Sequence, residues 1–135
     1  MGKVIQWVVF ILIVIASVVL SVFAKKWVNN FYSPEILFDV RKYDFDTLKT
    51  SDSSYYYFKY RNIGNGELKI YNIKTSCGCT IPYWNESFLK KNETDSFRVE
   101  YDKINKGYFI KEIMVYSNSK TSPDRLEISG LVPFD

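Results

Sequence analysis

The chain opens on an unbroken apolar run and then changes its period. Val4 to Ala24 is 21 residues without a charge, apolar on every helical face. At 1.5 Å per residue such a helix spans about 31 Å, close to the thickness of a hydrocarbon core. The core helix of a soluble protein keeps a polar face, and this run has none. A signal-peptide apolar region usually runs only about 7–15 residues. Residues 1–26 therefore predict a membrane anchor crossing through residues 4–24. A cleaved signal peptide is the rival reading, because Val22-Phe23-Ala24 offers the modest residues a signal peptidase accepts. Trp7 near one end, and Trp27, Phe31 and Tyr32 past the other, sit where interfacial aromatic belts lie.

Residues 27–34, "WVNNFYSP", read as a connector, and past it the period switches to two. Strands are predicted at Ile36–Val40, around Tyr43–Phe45, at Tyr55–Arg61, Leu68–Ile73, Phe97–Tyr101 and Gly107–Ser117, and around Leu126–Gly130. Asn65-Gly66 reads as a hairpin turn after the third of them, since both residues tolerate positive φ. About seven short strands in roughly 100 residues predict an all-β immunoglobulin-like sandwich over residues 35–135, behind one transmembrane helix. Phe58, Leu68, Ile70, Phe97, Val99, Val115, Leu126 and Ile128 head the alternating runs and form the expected core.

Composition agrees with strands: aromatics are 18% of the 135 residues, and 11 of them are Tyr. Charge changes the picture only once it is located. Three of the 18 Lys+Arg residues (Lys3, Lys25 and Lys26) flank the apolar run, leaving 15 against 15 Asp+Glu in the remainder. A balanced domain lacks the clustered positive surface that neutralises phosphates, so no nucleic-acid partner is expected. The flanking lysines nearly tie the positive-inside count and do not set the orientation.

The motifs "FKYRNIGNGELKIYNIKTSCGCTIPYW", "FRVEYDKINKGYFIKEIMVYSN" and "LEISGLV" together carry a resemblance. They look like a bacterial exported domain-of-unknown-function family that is similar to Hydin-type immunoglobulin-like domains. The match runs from about Ile36 to Val132 and rests on Asn62, Gly64 and Asn65, then on Ser76, Cys77, Gly78, Cys79 and Thr80. The family's usual Pro-Gly turn before the "FRVEY" strand is replaced by "LKKNETD", which predicts a longer or differently shaped loop. The resemblance implies a cell-envelope location, with the domain on the exported, periplasmic side of a bacterial inner membrane. It implies no activity. The sequons at Asn85 and Asn92 carry no meaning in that setting.

Cys77 and Cys79 are the only two thiols, one glycine apart, in a chain without histidine. Several readings stand open. They are small residues packed at a strand end. They form a labile disulfide, for which Gly78 would have to turn the backbone, since side chains two apart on a regular strand stand too far from each other. Or they hold a soft metal such as Cu(I), because two thiolates alone do not build a zinc site. A cysteine nucleophile needs a neighbouring base, typically His, and none exists. No phosphate loop, nucleophile elbow or zinc-protease motif is present, so no enzyme activity and no cofactor are expected. The chain reads as a membrane-anchored binding or scaffold module with a protein partner in the envelope. The alternative is a thiol-disulfide or copper-handling protein using Cys77 and Cys79.

Overall fold

A computed structural model of the chain describes residues 2–49, 54–76 and 83–134. It divides into two units, Met1–Tyr32 and Ser33–Asp135.

The first unit is one α-helix, α1 (Gly2–Phe31), of 30 residues. Its apolar side chains are exposed on all sides, from Val4 and Trp7 to Phe23 and Trp27. The two hydroxyls in the run are satisfied within the helix: Ser17 Oγ donates to Val14 O at 2.8 Å and Ser21 Oγ to Val18 O at 2.7 Å. Only a helix that pairs its own polar groups suits a membrane interior. The helix also takes in most of the stretch that reads as a connector. Trp27 and Phe31 stack one turn apart at 5.9 Å, and no helix breaker intervenes before Pro34.

The second unit is the sandwich. Its strands are β1 (Ile36–Phe38), β2 (Lys42–Thr47), β3 (Tyr55–Asn62), β4 (Ile70–Thr75), β5 (Thr94–Glu100), β6 (Gly107–Ser117) and β7 (Asp124–Val132). They form a three-stranded sheet in the order β1-β3-β5 and a four-stranded sheet in the order β2-β7-β6-β4. All pairs are antiparallel except β2 with β7. The alternation in the sequence sets which residues face inward: Phe58 lies opposite Phe97 across β3 and β5, and Ile113 opposite Leu126 across β6 and β7.

All eight residues expected in the core are buried there, joined by Ile36, Phe38, Tyr60, Ile73, Tyr101, Phe109, Ile113 and others. Tyr101 stacks flat on Phe109 at 3.7 Å, closing one part of the core with aromatic surface. Ile128 is 0% exposed, so Ile128→Val leaves a methyl-sized void. It is expected to cost about 1 kcal/mol in chemical denaturation with an unchanged m-value.

Three elements differ from expectation. β1 stops at Phe38, two residues short. Leu68 precedes β4 and pairs in an isolated bridge with Leu89. The third is the hairpin at Asn65-Gly66, which does not form: β3 and β4 belong to opposite sheets, so this loop crosses the sandwich. Among the described residues positive φ occurs at Asp46, Asn92 and Gly107, and at neither Asn65 nor Gly66. The segment "LKKNETD" makes a tight turn, closed by Glu93 N donating to Lys90 O at 3.1 Å. Asn92 supplies the left-handed residue, φ 66°, that a glycine would otherwise supply.

Candidate functional site

The Asn62-x-Gly64-Asn65 motif is a clamp. Asn62, at the end of β3, is 0% exposed and uses all of its amide. Its Oδ1 accepts from Gly64 N at 3.0 Å, closing a local Asx turn, and from Glu35 N at 3.3 Å. Its Nδ2 donates to Gly66 O at 2.7 Å and to Leu89 O at 2.9 Å. Asn65 N and Gly66 N then donate to Ser33 O at 3.1 and 3.2 Å, and Ile63 N donates to Glu35 O at 2.8 Å. One buried side chain thus ties together the 33–35 segment, the crossing loop and the turn before β5. The signal was present as Asn followed two residues later by Gly, the spacing of an Asx turn.

Ser76 is the last described residue of the cysteine motif. Its N donates to Glu112 O at 2.9 Å, and its Oγ accepts from Glu112 N at 3.2 Å, so the chain is pinned to β6 as β4 ends. Past the motif, Tyr83 N donates to Arg98 O on β5 at 3.2 Å. Cys77, Gly78, Cys79 and Thr80 lie outside the described residues. Among the described residues no three Asp, Glu or Cys side chains gather to hold a metal ion.

The outer face of the three-stranded sheet is the surface that the sequence reading did not single out. The odd-numbered residues of β3 point away from the core, so Tyr55 and Tyr57 stand exposed, with ring centroids 5.8 Å apart. Arg98 on β5 lies opposite Tyr57, places its guanidinium 4.2 Å from the Tyr55 ring, and pairs with Glu100 at 2.8 Å. Tyr83, 81% exposed, bridges to the same Arg98. Lys59 and Arg61 continue the outward row, and neither forms a salt bridge among the described residues. On the four-stranded sheet Lys42 pairs with Glu127 and Arg125 with Glu112, and Lys74 lies over the Tyr116 ring at 5.4 Å. Tyr71, Tyr108 and Ile110 stand exposed there without an arginine among them. Exposed Tyr beside Arg, with cations left over, is the composition of an interaction surface rather than of a solvated face.

The inward neighbour of that row, Tyr60, has its phenol held above the ordinary value of 10.0. Burial disfavours the phenolate, and the nearby Asp95 charge adds to this. Tyr101 is pushed the same way, by burial and then Asp102. Below pH 10 both folded and unfolded chains keep these protons, and stability does not depend on them. Above it the unfolded chain ionises while the folded one does not, so stability is expected to fall as pH rises past about 10. Denaturation of Tyr60→Phe across that range should show a shallower decline.

The sandwich portion, residues 36–132, matches the family described as "Protein of unknown function (DUF1573)". No curated protein matches the sequence significantly. Among solved structures the chain resembles a protein of unknown function from Porphyromonas gingivalis W83, with a TM-score of 0.66 and 14% identity over 76% of this chain. The chain spans about half of that protein, 48% of its length. It also resembles the ASH/PapD-like domain 7 of human CEP192, with a TM-score of 0.61 and 11% identity over 77% of this chain and 89% of that one. A third likeness is to the CsuC-CsuE chaperone-tip adhesion subunit pre-assembly complex from archaic chaperone-usher Csu pili of Acinetobacter baumannii. Its TM-score is 0.50 with 13% identity, over 73% of this chain and 56% of that one. These likenesses establish an immunoglobulin-type, PapD-like sandwich.

Proposed function

The chain belongs to the DUF1573 family, and from that premise we propose that it is a membrane-anchored binding or scaffold module of the cell envelope. The observation that carries this reading is the outer face of the β1-β3-β5 sheet, where Tyr55, Tyr57 and Tyr83 stand exposed around Arg98. Three exposed tyrosines flanking one arginine, with the Tyr55 ring against its guanidinium, are the composition of a protein interface rather than of a solvated sheet. The apolar helix α1 supports an anchor, since its exposed side chains need a lipid environment. The domain sits on the exported, periplasmic side of a bacterial inner membrane and acts by binding, without a catalytic step. The sequence supports this with its lack of histidine and of any catalytic motif. Kinship with Hydin-type domains belongs to the same proposal and is supported by the PapD-like fold.

Alkaline washing of native membranes, followed by protease treatment from the exported side, tests the placement. The protein should stay in the pellet with an intact N-terminus, and the sandwich should be digested. A purified chain beginning at Lys25 would identify the apolar run as a cleaved signal. Protection from protease on the exported side would reverse the orientation.

A further inference from the structure

β1 is too short for its neighbour. It pairs Ile36, Leu37 and Phe38 with Asn62, Arg61 and Tyr60, and the chain then turns away towards β2. The last bond of this ladder is Asp39 N donating to Lys59 O at 3.2 Å, which fixes the phase of β3. The backbone groups of Lys59, Tyr57 and Tyr55 face the β1 side, and those of the even residues face β5. From Tyr57 back to Tyr55 the outward-pointing N–H and C=O groups have no partner among the described residues. They border a hollow of about 430 Å³ lined by Asp39, Val40, Tyr55, Tyr56, Tyr57 and Lys59, within the range of binding clefts. On its inner side Tyr56 stacks on Tyr43 at 3.7 Å, and both rings remain only half-buried.

We propose that this open half-edge of β3 receives an extended segment of a partner protein as an added strand. The proposal rests on the binding role above and assigns it a place and a partner chemistry. Only an extended polypeptide supplies donors and acceptors at the strand repeat needed by Tyr55 and Tyr57. Alternate side chains of the segment fall on the two faces of the sheet. Those facing inward cover the half-exposed Tyr43–Tyr56 stack and are apolar. Those facing outward lie beside Tyr55, Tyr57 and Lys59, and an acidic residue there pairs with the unbridged Lys59 ammonium. Asp39, at the end of the hollow, sets the limit of the acidic stretch. The partner is therefore an extended segment alternating apolar and acidic residues.

The test is titration of the full chain, in detergent micelles, with a fluorescent acetyl-(Val-Glu)4-amide peptide and its (Val-Lys)4 counterpart. The Val-Glu peptide should bind at least about tenfold more tightly than Val-Lys. Lys59→Glu should invert that order. Tyr57→Pro, which removes the N–H at the edge, should abolish binding of both. Val40→Trp does the same by filling the hollow from an exposed position, which keeps the test decisive if the proline variant does not fold. Equal binding of the two peptides, no binding of either, or full binding by Val40→Trp would overturn the proposal. Chain-to-chain adducts from a photo-cross-linking residue at position 40 would identify a second copy as the occupant, and would overturn it too. A partner adduct formed only from position 108, on the other sheet, would overturn this edge while leaving the binding role standing.

Discussion

Asn62→Ala is expected to lower the stability of the sandwich by about 4 kcal/mol, a loss of several hydrogen bonds at once. The side chain is fully buried, and four backbone groups depend on it: Glu35 N, Gly64 N, Gly66 O and Leu89 O. Each group left without a partner costs about 1–3 kcal/mol, and partial hydration of the opened loop returns some of the total. In a domain of this size the midpoint should drop by roughly 15–30 °C. Asn62→Asp is the sharper test. Its carboxylate still accepts from Gly64 N and Glu35 N, but it faces the carbonyls of Gly66 and Leu89 with a charge in place of a donor. The loss at neutral pH should match that of the alanine variant and shrink on acidification, when the carboxyl group regains a proton to donate. Asn65→Ala should cost less than about 1 kcal/mol, because the Asn65 side chain makes only an exposed bond, from Lys91 Nζ at 2.6 Å.

Gly64→Ala should be nearly as damaging, for a steric reason. A Cβ on Gly64 would lie 2.4 Å from both Ser33 O and Glu35 N, and 2.6 Å from Pro34 C. All three atoms are backbone, so no side chain can rotate out of the way. The 33–35 segment must move off the loop, breaking the bonds from Asn65 N and Gly66 N to Ser33 O and from Ile63 N to Glu35 O. A loss of about 3 kcal/mol or more follows. Amide exchange should show the break directly, with faster exchange at Ile63, Asn65 and Gly66 than at the core amides of β6 and β7. Because both substitutions open one clamp, the double variant Asn62→Ala/Gly64→Ala should lose clearly less than the sum of the single losses.

The clamp also marks where the sequence is legible and where it is not. Period-two alternation, aromatic runs and turn signals together locate the seven strands and the core, because Phe58, Phe97, Val115 and Ile128 occupy positions that a pleated sheet turns inward. The crossing loop differs from the expected hairpin because Asn65-Gly66 is only a local signal. The bonds that decide its path are long-range, from Asn62 to Glu35 and Leu89, each 27 residues away. The early end of β1 has no local mark either, since the chain leaves the ladder after the Asp39 N bond to Lys59 O and begins the passage into the other sheet. The run Tyr55-Tyr56-Tyr57-Phe58 shows aromatic residues on both faces, so composition alone hid the exposed row. Only the register with β5 sorts Tyr55 and Tyr57 outward, beside Arg98, and Phe58 inward, on Phe97. The two thiols, the most conspicuous chemistry in the sequence, lie outside the described residues.

The most direct measurement of the binding role is photo-cross-linking in native membranes, with the reactive side chain placed in turn at positions 57, 83, 71 and 108. The first two lie on the three-stranded sheet or beside it, and the last two on the four-stranded sheet. A binding module that uses the Tyr55–Tyr57–Arg98 face gives one discrete protein adduct from positions 57 and 83, identifiable by mass, and much weaker adducts from 71 and 108. Absence of any discrete adduct from all four positions, with the protein intact and membrane-bound, would contradict the account.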